Sequence, residues 1–167
     1  AALRVATLTV RDITQQIEQE QHIAYLSNYD ERSGALRRAP FLKFLALRLE
    51  RDGGSALFVI SISQLKTVNL KFGREVGDAL LQEVVTRLET SDRGLSVAAR
   101  LGGSSFAIFS ETDISPDDGG KLAAWIRDRI AAPYLLSDAR AQIDVHIGYL
   151  PFDRQGGLSE IQLLDMA

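Results

Sequence analysis

Cysteine is missing altogether from the 167 residues, so neither a disulfide framework nor a thiolate metal site can be built. An excess of one charge is missing too. Nineteen Lys and Arg stand against 22 Asp and Glu, for a net −3 and a pI near 5.4. That balance gives no general attraction to nucleic acid or to anionic lipid. Long apolar runs are also absent, and stretches such as Ala56 to Ile62 fall far short of the roughly 20 residues that span a bilayer. No leader peptide is legible, and a chain that opens on alanine is expected to be a piece of something longer. There is no P-loop, no zinc-ligand spacing, no Ser-His-Asp arrangement and no internal repeat. What is present is ordinary for a soluble domain: 46% apolar and 25% charged residues, enough to bury one core.

Leu3 to Val10 alternates apolar and other residues, the period of a half-buried strand. A polar, glutamine-rich stretch follows to about Tyr29, with Ile13, Ile17, Ala24 and Tyr25 at roughly helical spacing. This reads as a connector helix, packed either on its own domain or on a second copy. Ser33 and Gly34 mark a turn, and Pro40 suits the first turn of a helix carrying Phe41, Phe44, Leu45, Leu47 and Leu49. The run 52–55 breaks it. Ala56 to Ile62 reads as a central strand, Leu65 to Lys71 as a short helix, and Glu75 to Thr90 as a strongly amphipathic helix. Ser96 to Arg100 and Ser105 to Phe109 flank Leu101, Gly102, Gly103 and Ser104, which predicts a hairpin. Ser115 and Pro116 open a helix to about Ala131, with Asp117 and Asp118 in the dipole-favoured first turn. Pro133 ends it. Gln142 to Leu150 is expected as a strand, and Leu158 to Met166 as the start of a last helix. Alternating strands and helices around one hairpin predict an α+β or α/β fold on a mostly antiparallel sheet.

The order of these elements, and several motifs on them, resemble the GGDEF family of bacterial diguanylate cyclases from about Asp30 to Ala167. Asp30 to Arg38 is similar to D-x-L-T-G-L-x-N-R: Asp30, Gly34 and Arg38 match, and Ser33 stands for Thr. Ser61 to Asn69 is similar to D-x-D-x-F-K-x-I-N, and Phe72 to Leu81 to Y/F-G-H-x-x-G-D-x-L-L. Arg100 to Phe106 sits where R-x-G-G-D/E-E-F belongs, and Ile143 to Gly148 resembles the T-V-S-I-G strand. The resemblance implies a nucleotidyl-cyclase-like α+β fold with a ferredoxin-like core: a central, mostly antiparallel five-stranded sheet flanked by helices. Residues 1–29 are similar to the tail of a PAS sensor domain and its linker helix, and residues 30–167 to a GGDEF domain whose closing helix is cut short. The resemblance further implies a bacterial PAS–GGDEF–EAL composite in the cytoplasm. Neighbouring PAS and EAL domains, and a second copy of the chain, would be its partners.

The family joins two GTP molecules with the help of two divalent cations, whose hard-oxygen ligands are carboxylates and phosphates. The resemblance places the metal carboxylates at Ser61 and Ser104, the acid linked to activating the attacking hydroxyl at Ser105, and the second Asp of D-x-D at Ser63. All four are neutral here and poor magnesium ligands. The expectation is a degenerate domain without cyclase activity, cofactor or metal. A diguanylate cyclase rescued by Glu111 or Asp113 is the enzymatic alternative. Other parts of a nucleotide site are retained. Asn69 and Asp78 match positions that hold the guanine base, Lys66 a lysine near the phosphates, and Arg100 the arginine before the turn. Gly102 and Gly103 either cradle a phosphate through backbone N–H groups or simply make a tight turn. Asn and Asp equally cap helices and turns, so a residual, weakly GTP-sensing pocket and a purely structural role both stand at this point. Arg93 to Ser96 lies where the family carries its inhibitory R-x-x-D. Arg93 is kept but the acid is Ser96, so a cyclic di-GMP site there lacks its carboxylate. His146 is expected at a core or edge position, and Trp125 and Ile126 in the core or facing a partner.

Overall fold

The computed structural model describes residues 14–49, 55–91, 93–111, 114–136, 139–152, 159, 161, 162 and 164. The strand expected over Leu3 to Val10 lies outside the described residues, as do Ile13 and all but one of the break at 52–55. The elements are α1 (Thr14–Asn28), β1 (Leu36–Arg37), α2 (Arg38–Leu49), β2 (Ser55–Ile62), α3 (Leu65–Phe72), α4 (Arg74–Glu89), β3 (Leu95–Gly102), β4 (Ser105–Ser110), α5 (Pro116–Ala131), β5 (Tyr134–Leu136), β6 (Ala139–Ala141) and β7 (Val145–Phe152).

Five strands form one sheet in the order β1-β3-β4-β2-β7, and only the β1–β3 pair is parallel. Omitting α1, β1, α2 and the small β5–β6 ribbon leaves β2, α3/α4, β3, β4, α5 and β7. That is the β-α-β-β-α-β path of a ferredoxin-like core. The α+β fold with a helix-flanked five-stranded sheet is therefore as expected.

Period-two alternation on β2 explains the two layers. Phe58, Ile60 and Ile62 face α3, α4 and α5, and pack with Val68, Leu80, Leu81, Val84, Leu88, Ile126 and Ile130. Leu57 points to the other face and meets Phe41 and Leu45 of α2, with Ala99, Ala107 and Phe109. Leu164, near the end of the chain, packs on this second cluster. Burying a side chain such as Phe58 or Leu81 stabilises the fold by about 1.5–3 kcal/mol each. On α5, Gly119 makes room for the Tyr149 ring of β7, since a Cβ there would sit 2.5 Å from Tyr149 Cε2.

Helix α5 starts as its sequence dictates: Ser115 Oγ accepts from the Asp118 N–H, Pro116 fills the first turn, and Asp117 and Asp118 meet the dipole. At its other end Arg87 donates to the carbonyls of Arg129, Ala132 and Pro133, and its guanidinium lies 3.8 Å from the Tyr134 ring centre. Tyr134 is fully buried and donates to the Ile130 carbonyl at 2.6 Å, and burial pushes its phenol up to about 12.

Helix α1 contrasts with the rest. Ala24 and Tyr25, two residues of its expected stripe, are exposed, as is Ile23, and Tyr25 stacks on Tyr29 at 4.7 Å. The two therefore do not face the domain's own core. No described helix is long and apolar enough to cross a membrane.

Candidate functional site

Ser61, Ser63, Ser104 and Ser105 meet at one end of the sheet. Ser61 on β2 lies directly opposite Ser105 on β4 and His146 on β7, so the three occupy one cross-strand row. The Ile62 N–H donates to the Ser104 carbonyl at 3.0 Å, and the Ser63 N–H to the Asp144 carbonyl at 2.9 Å. Gly102, with φ 147°, and Gly103, with φ 53°, make the turn that carries Ser104 back, and both favour glycine for that reason.

The hairpin is held by Arg100. Its Nε and Nη2 donate to the Gly103 carbonyl at 3.1 and 2.7 Å, and its Nη1 to Asp30 Oδ1 at 2.6 Å. The same Asp30 oxygen accepts from the Ser33 N–H and hydroxyl. The Arg100 side chain is only 9% exposed, so its charge is spent on the fold and not offered to a phosphate. Burial alone raises the Asp30 carboxyl. Hydrogen bonds from Arg100 and from Ser33, side chain and backbone, and the charge of Arg100 together outweigh it and hold the group below its ordinary 3.8.

Two further residues shape this end of the sheet. Gln64 adopts a left-handed conformation, with φ 65°, and turns the chain from β2 into α3. Its carboxamide then clasps Asp144, donating to Oδ2 at 2.5 Å and accepting the Asp144 N–H at 2.7 Å. Sequence reasoning missed this acid because only the β2–β7 register, with Ile62 opposite Val145, puts it beside Ser63. The rescue acids fare differently. Glu111 pairs with Arg48 beyond the opposite end of β4, about 20 Å away at roughly 3.3 Å per residue. Asp113 lies outside the described residues. Among the described residues, no three His, Asp or Glu side chains are grouped to hold a metal ion. Serine hydroxyls and one exposed acid do not fit the hard carboxylate set that magnesium requires.

Asn69 on α3 and Asp78 on α4 lie on two helices that pack together on either side of Gly73. Asn69 Oδ1 is buried without a hydrogen-bond partner among the described residues and rests against Gly77, where a Cβ would come within 1.7 Å of it. Asp78 faces Arg32 at 3.9 Å. Lys66 is exposed on the first turn of α3. Arg93 is separate from all of these, with its guanidinium 4.8 Å from the Trp125 ring centre, and Ser96 Oγ donates to the Phe109 carbonyl. Trp125 also receives Arg129 at 5.3 Å, while Ile126 is core. Gly77→Ala is expected to displace the Asn69 carboxamide and shift its side-chain NH2 resonances. Stability should change by less than about 1 kcal/mol, because alanine's helix preference offsets the clash. Nitrogen-edited NMR and thermal unfolding read the two separately.

The family model for the diguanylate cyclase GGDEF domain matches residues 27–167. The chain belongs to the GGDEF family. An uncharacterized signaling protein of Caulobacter vibrioides is 34% identical over 134 residues, covering 77% of this chain and 17% of that protein. A probable diguanylate cyclase of Escherichia coli, DgcE, is 30% identical over 129 residues, covering 75% of this GGDEF chain and 11% of that protein. The chain thus spans about a fifth or less of these relatives. The solved coiled coil and GGDEF domain of DgcB from Caulobacter crescentus, in complex with c-di-GMP, superposes with TM-score 0.72 at 20% identity, over 92% of this chain and 83% of that one. A sensory box/GGDEF family protein from the same organism gives 0.67 at 24% identity, over 83% and 97%. At those identities the likeness is one of fold.

Proposed function

We propose that this GGDEF domain is a catalytically inactive, signal-transmitting module of cyclic di-GMP signalling. The observation that carries this reading is the convergence of Ser61, Ser63, Ser104 and Ser105 on one sheet end, where the family resemblance expects carboxylates. Neutral hydroxyls are poor ligands for the two divalent cations that would offset the charge of a triphosphate. The acids that do lie nearby are engaged, Asp30 by Arg100 and Asp144 by Gln64. The scaffold of the hairpin is meanwhile intact, so the domain keeps the shape of a cyclase without its charges. Residues 1–29 would serve as the linker from a PAS sensor, residues 30–167 as the GGDEF unit, and an EAL domain would follow in a cytoplasmic parent chain. The much greater length of the curated relatives supports further domains. Its action is mechanical: a change in the geometry of α1, or in pairing with a second copy, passes to its neighbours.

One observation favours a second reading, a GTP-sensing domain without turnover. Asn69 and Asp78 sit on facing helices, and Asn69 Oδ1 is buried with no hydrogen-bond partner among the described residues. Calorimetric titration with GTP and magnesium, and assay of the same sample for cyclic di-GMP, separate the possibilities. No product is expected. Binding that Asn69→Ala abolishes selects the sensor, and absence of binding selects the pure transmitter. Product formation rejects both.

A further inference from the structure

We propose that the outer edge of β7 pairs with the same edge of a second copy of this chain, antiparallel and centred on Ile147. Strand β7 ends the sheet, and among the described residues no strand lies on its far side. One hydrogen bond tells which backbone groups that edge offers. The Ser63 N–H donates to the Asp144 carbonyl at 2.9 Å, so Asp144 turns its backbone toward β2. Direction alternates along a strand, so His146, Gly148 and Leu150 bond inward, while Val145, Ile147 and Pro151 turn their backbone groups outward. The Ile147 side chain meanwhile packs against the core beneath α5. An outward row of N–H and C=O groups is a template for another strand, and proteins ordinarily blunt it with charge, proline or a bulge. Pro151 does so at the far end, where a residue without an N–H suits an outward position. From Val145 to Leu150 there is no Lys, Arg, Asp or Glu, and the register against β2 runs without a shift. The edge around Ile147 is thus unguarded.

The order of residue sizes selects a second copy as the occupant. In an antiparallel pair centred on Ile147, residue 146 of one copy lies opposite residue 148 of the other. The exposed His146 ring then stands over Gly148 of the partner subunit, which has no side chain to meet it, and the same fit recurs across the axis. Centring the pair on His146 would oppose two imidazole rings, and centring it on Gly148 would oppose two glycines with nothing to pack. At the axis each Ile147 exchanges two backbone hydrogen bonds with its copy. No Asp, Glu, Lys or Arg lies along the segment to set like charges opposite each other. The contact is small, so it is weak alone and gains strength where other contacts already hold two copies together. It does not depend on whether the serine end of the sheet binds a ligand.

Amide hydrogen exchange read by NMR at micromolar and millimolar protein tests this residue by residue. The Ile147 amide should exchange freely in the dilute sample. At millimolar concentration it should slow by about fivefold, the mass-action effect of a dissociation constant about a tenth of the concentration used. The His146 and Gly148 amides, which bond to β2, should be protected at both concentrations. His146→Asp sets two carboxylates diagonally across the axis, about 7–8 Å apart, and should abolish the concentration dependence at Ile147. Protection retained at the inward amides of that variant shows that the strand itself is intact. An Ile147 amide that exchanges equally fast at both concentrations overturns the proposal, whatever other association the chain shows. So does protection already complete in dilute solution, which would mean that the chain covers its own edge. Concentration-dependent protection that persists in His146→Asp overturns the register and the fit of His146 over glycine.

Discussion

Asp30→Ala is expected to lower the unfolding free energy by about 2–3 kcal/mol, the scale of losing charge-assisted hydrogen bonds and leaving a cation in a poorly hydrated place. For a chain of this size that is a fall of roughly 5–10 °C in melting temperature. The carboxylate accepts from the Ser33 N–H, the Ser33 hydroxyl and Arg100, and the Arg100 side chain has little access to water once its partner is gone. The pH dependence follows from the sign of the shift. The Asp30 carboxyl is held below 3.8 in the folded protein, so the unfolded chain binds its proton more readily. The stabilisation is complete well above pH 3.8 and is lost as pH falls through that value to the folded-state one. Native and Asp30→Ala proteins should therefore differ most near neutrality and converge in acid. Urea unfolding at pH 7 and pH 3 reads this directly. An equal gap at both values would mean that the ionised pair contributes nothing, and that the loss is one of packing.

The second large effect concerns the serines. Ser61→Asp combined with Ser104→Asp should give a protein that is less stable than the native one without metal and regains stability in magnesium. Two carboxylates near one another at a strand end repel by about 1 kcal/mol in water-like surroundings. Magnesium bound only by the folded state stabilises by about 1.4 kcal/mol at ten times its dissociation constant and about 2.7 at a hundred times. The native protein should not respond. Thermal unfolding with and without magnesium, with calcium as a control for less demanding geometry, makes the comparison. A double variant that ignores magnesium would show that more than charge has been lost from this end of the sheet.

Long, strongly periodic elements were legible in the sequence, and short ones were not. The apolar seam of α4, through Leu80, Leu81, Val84, Val85 and Leu88, announces a helix, and the structure bounds it at Arg74–Glu89, one residue from expectation. The hairpin was visible from Gly102 and Gly103. Strand β1 has two residues and exists only because its parallel partner β3 lies alongside. The β5–β6 ribbon has three residues on each side and follows a proline, so neither period could register. The expected start of β7 at Gln142 moves to Val145. Gln64 has turned away from β2 there, and the Asp144 N–H bonds to a side chain. The resemblance to the family's motifs singles out the four serines, and the β2–β4 register sets Ser61 opposite Ser105. Asp144, Gln64 and Arg32 act through partners that are 80, 80 and 46 residues away, and pairings at that distance leave no local pattern.

The junction beneath α1 has a mechanical consequence. The helix ends at Asn28, and Tyr29 bridges to Leu36 while its carbonyl accepts from Arg37 Nε. The next residue is Asp30, whose carboxylate grips Arg100, which in turn grips Gly103 at the hairpin tip. Fifteen residues of α1 make a rod about 22 Å long, so a 10° tilt about this junction carries the far end through about 4 Å. Run in reverse, a few ångströms of displacement at the far end becomes torque on a fulcrum only two linkages from the turn that holds Ser104.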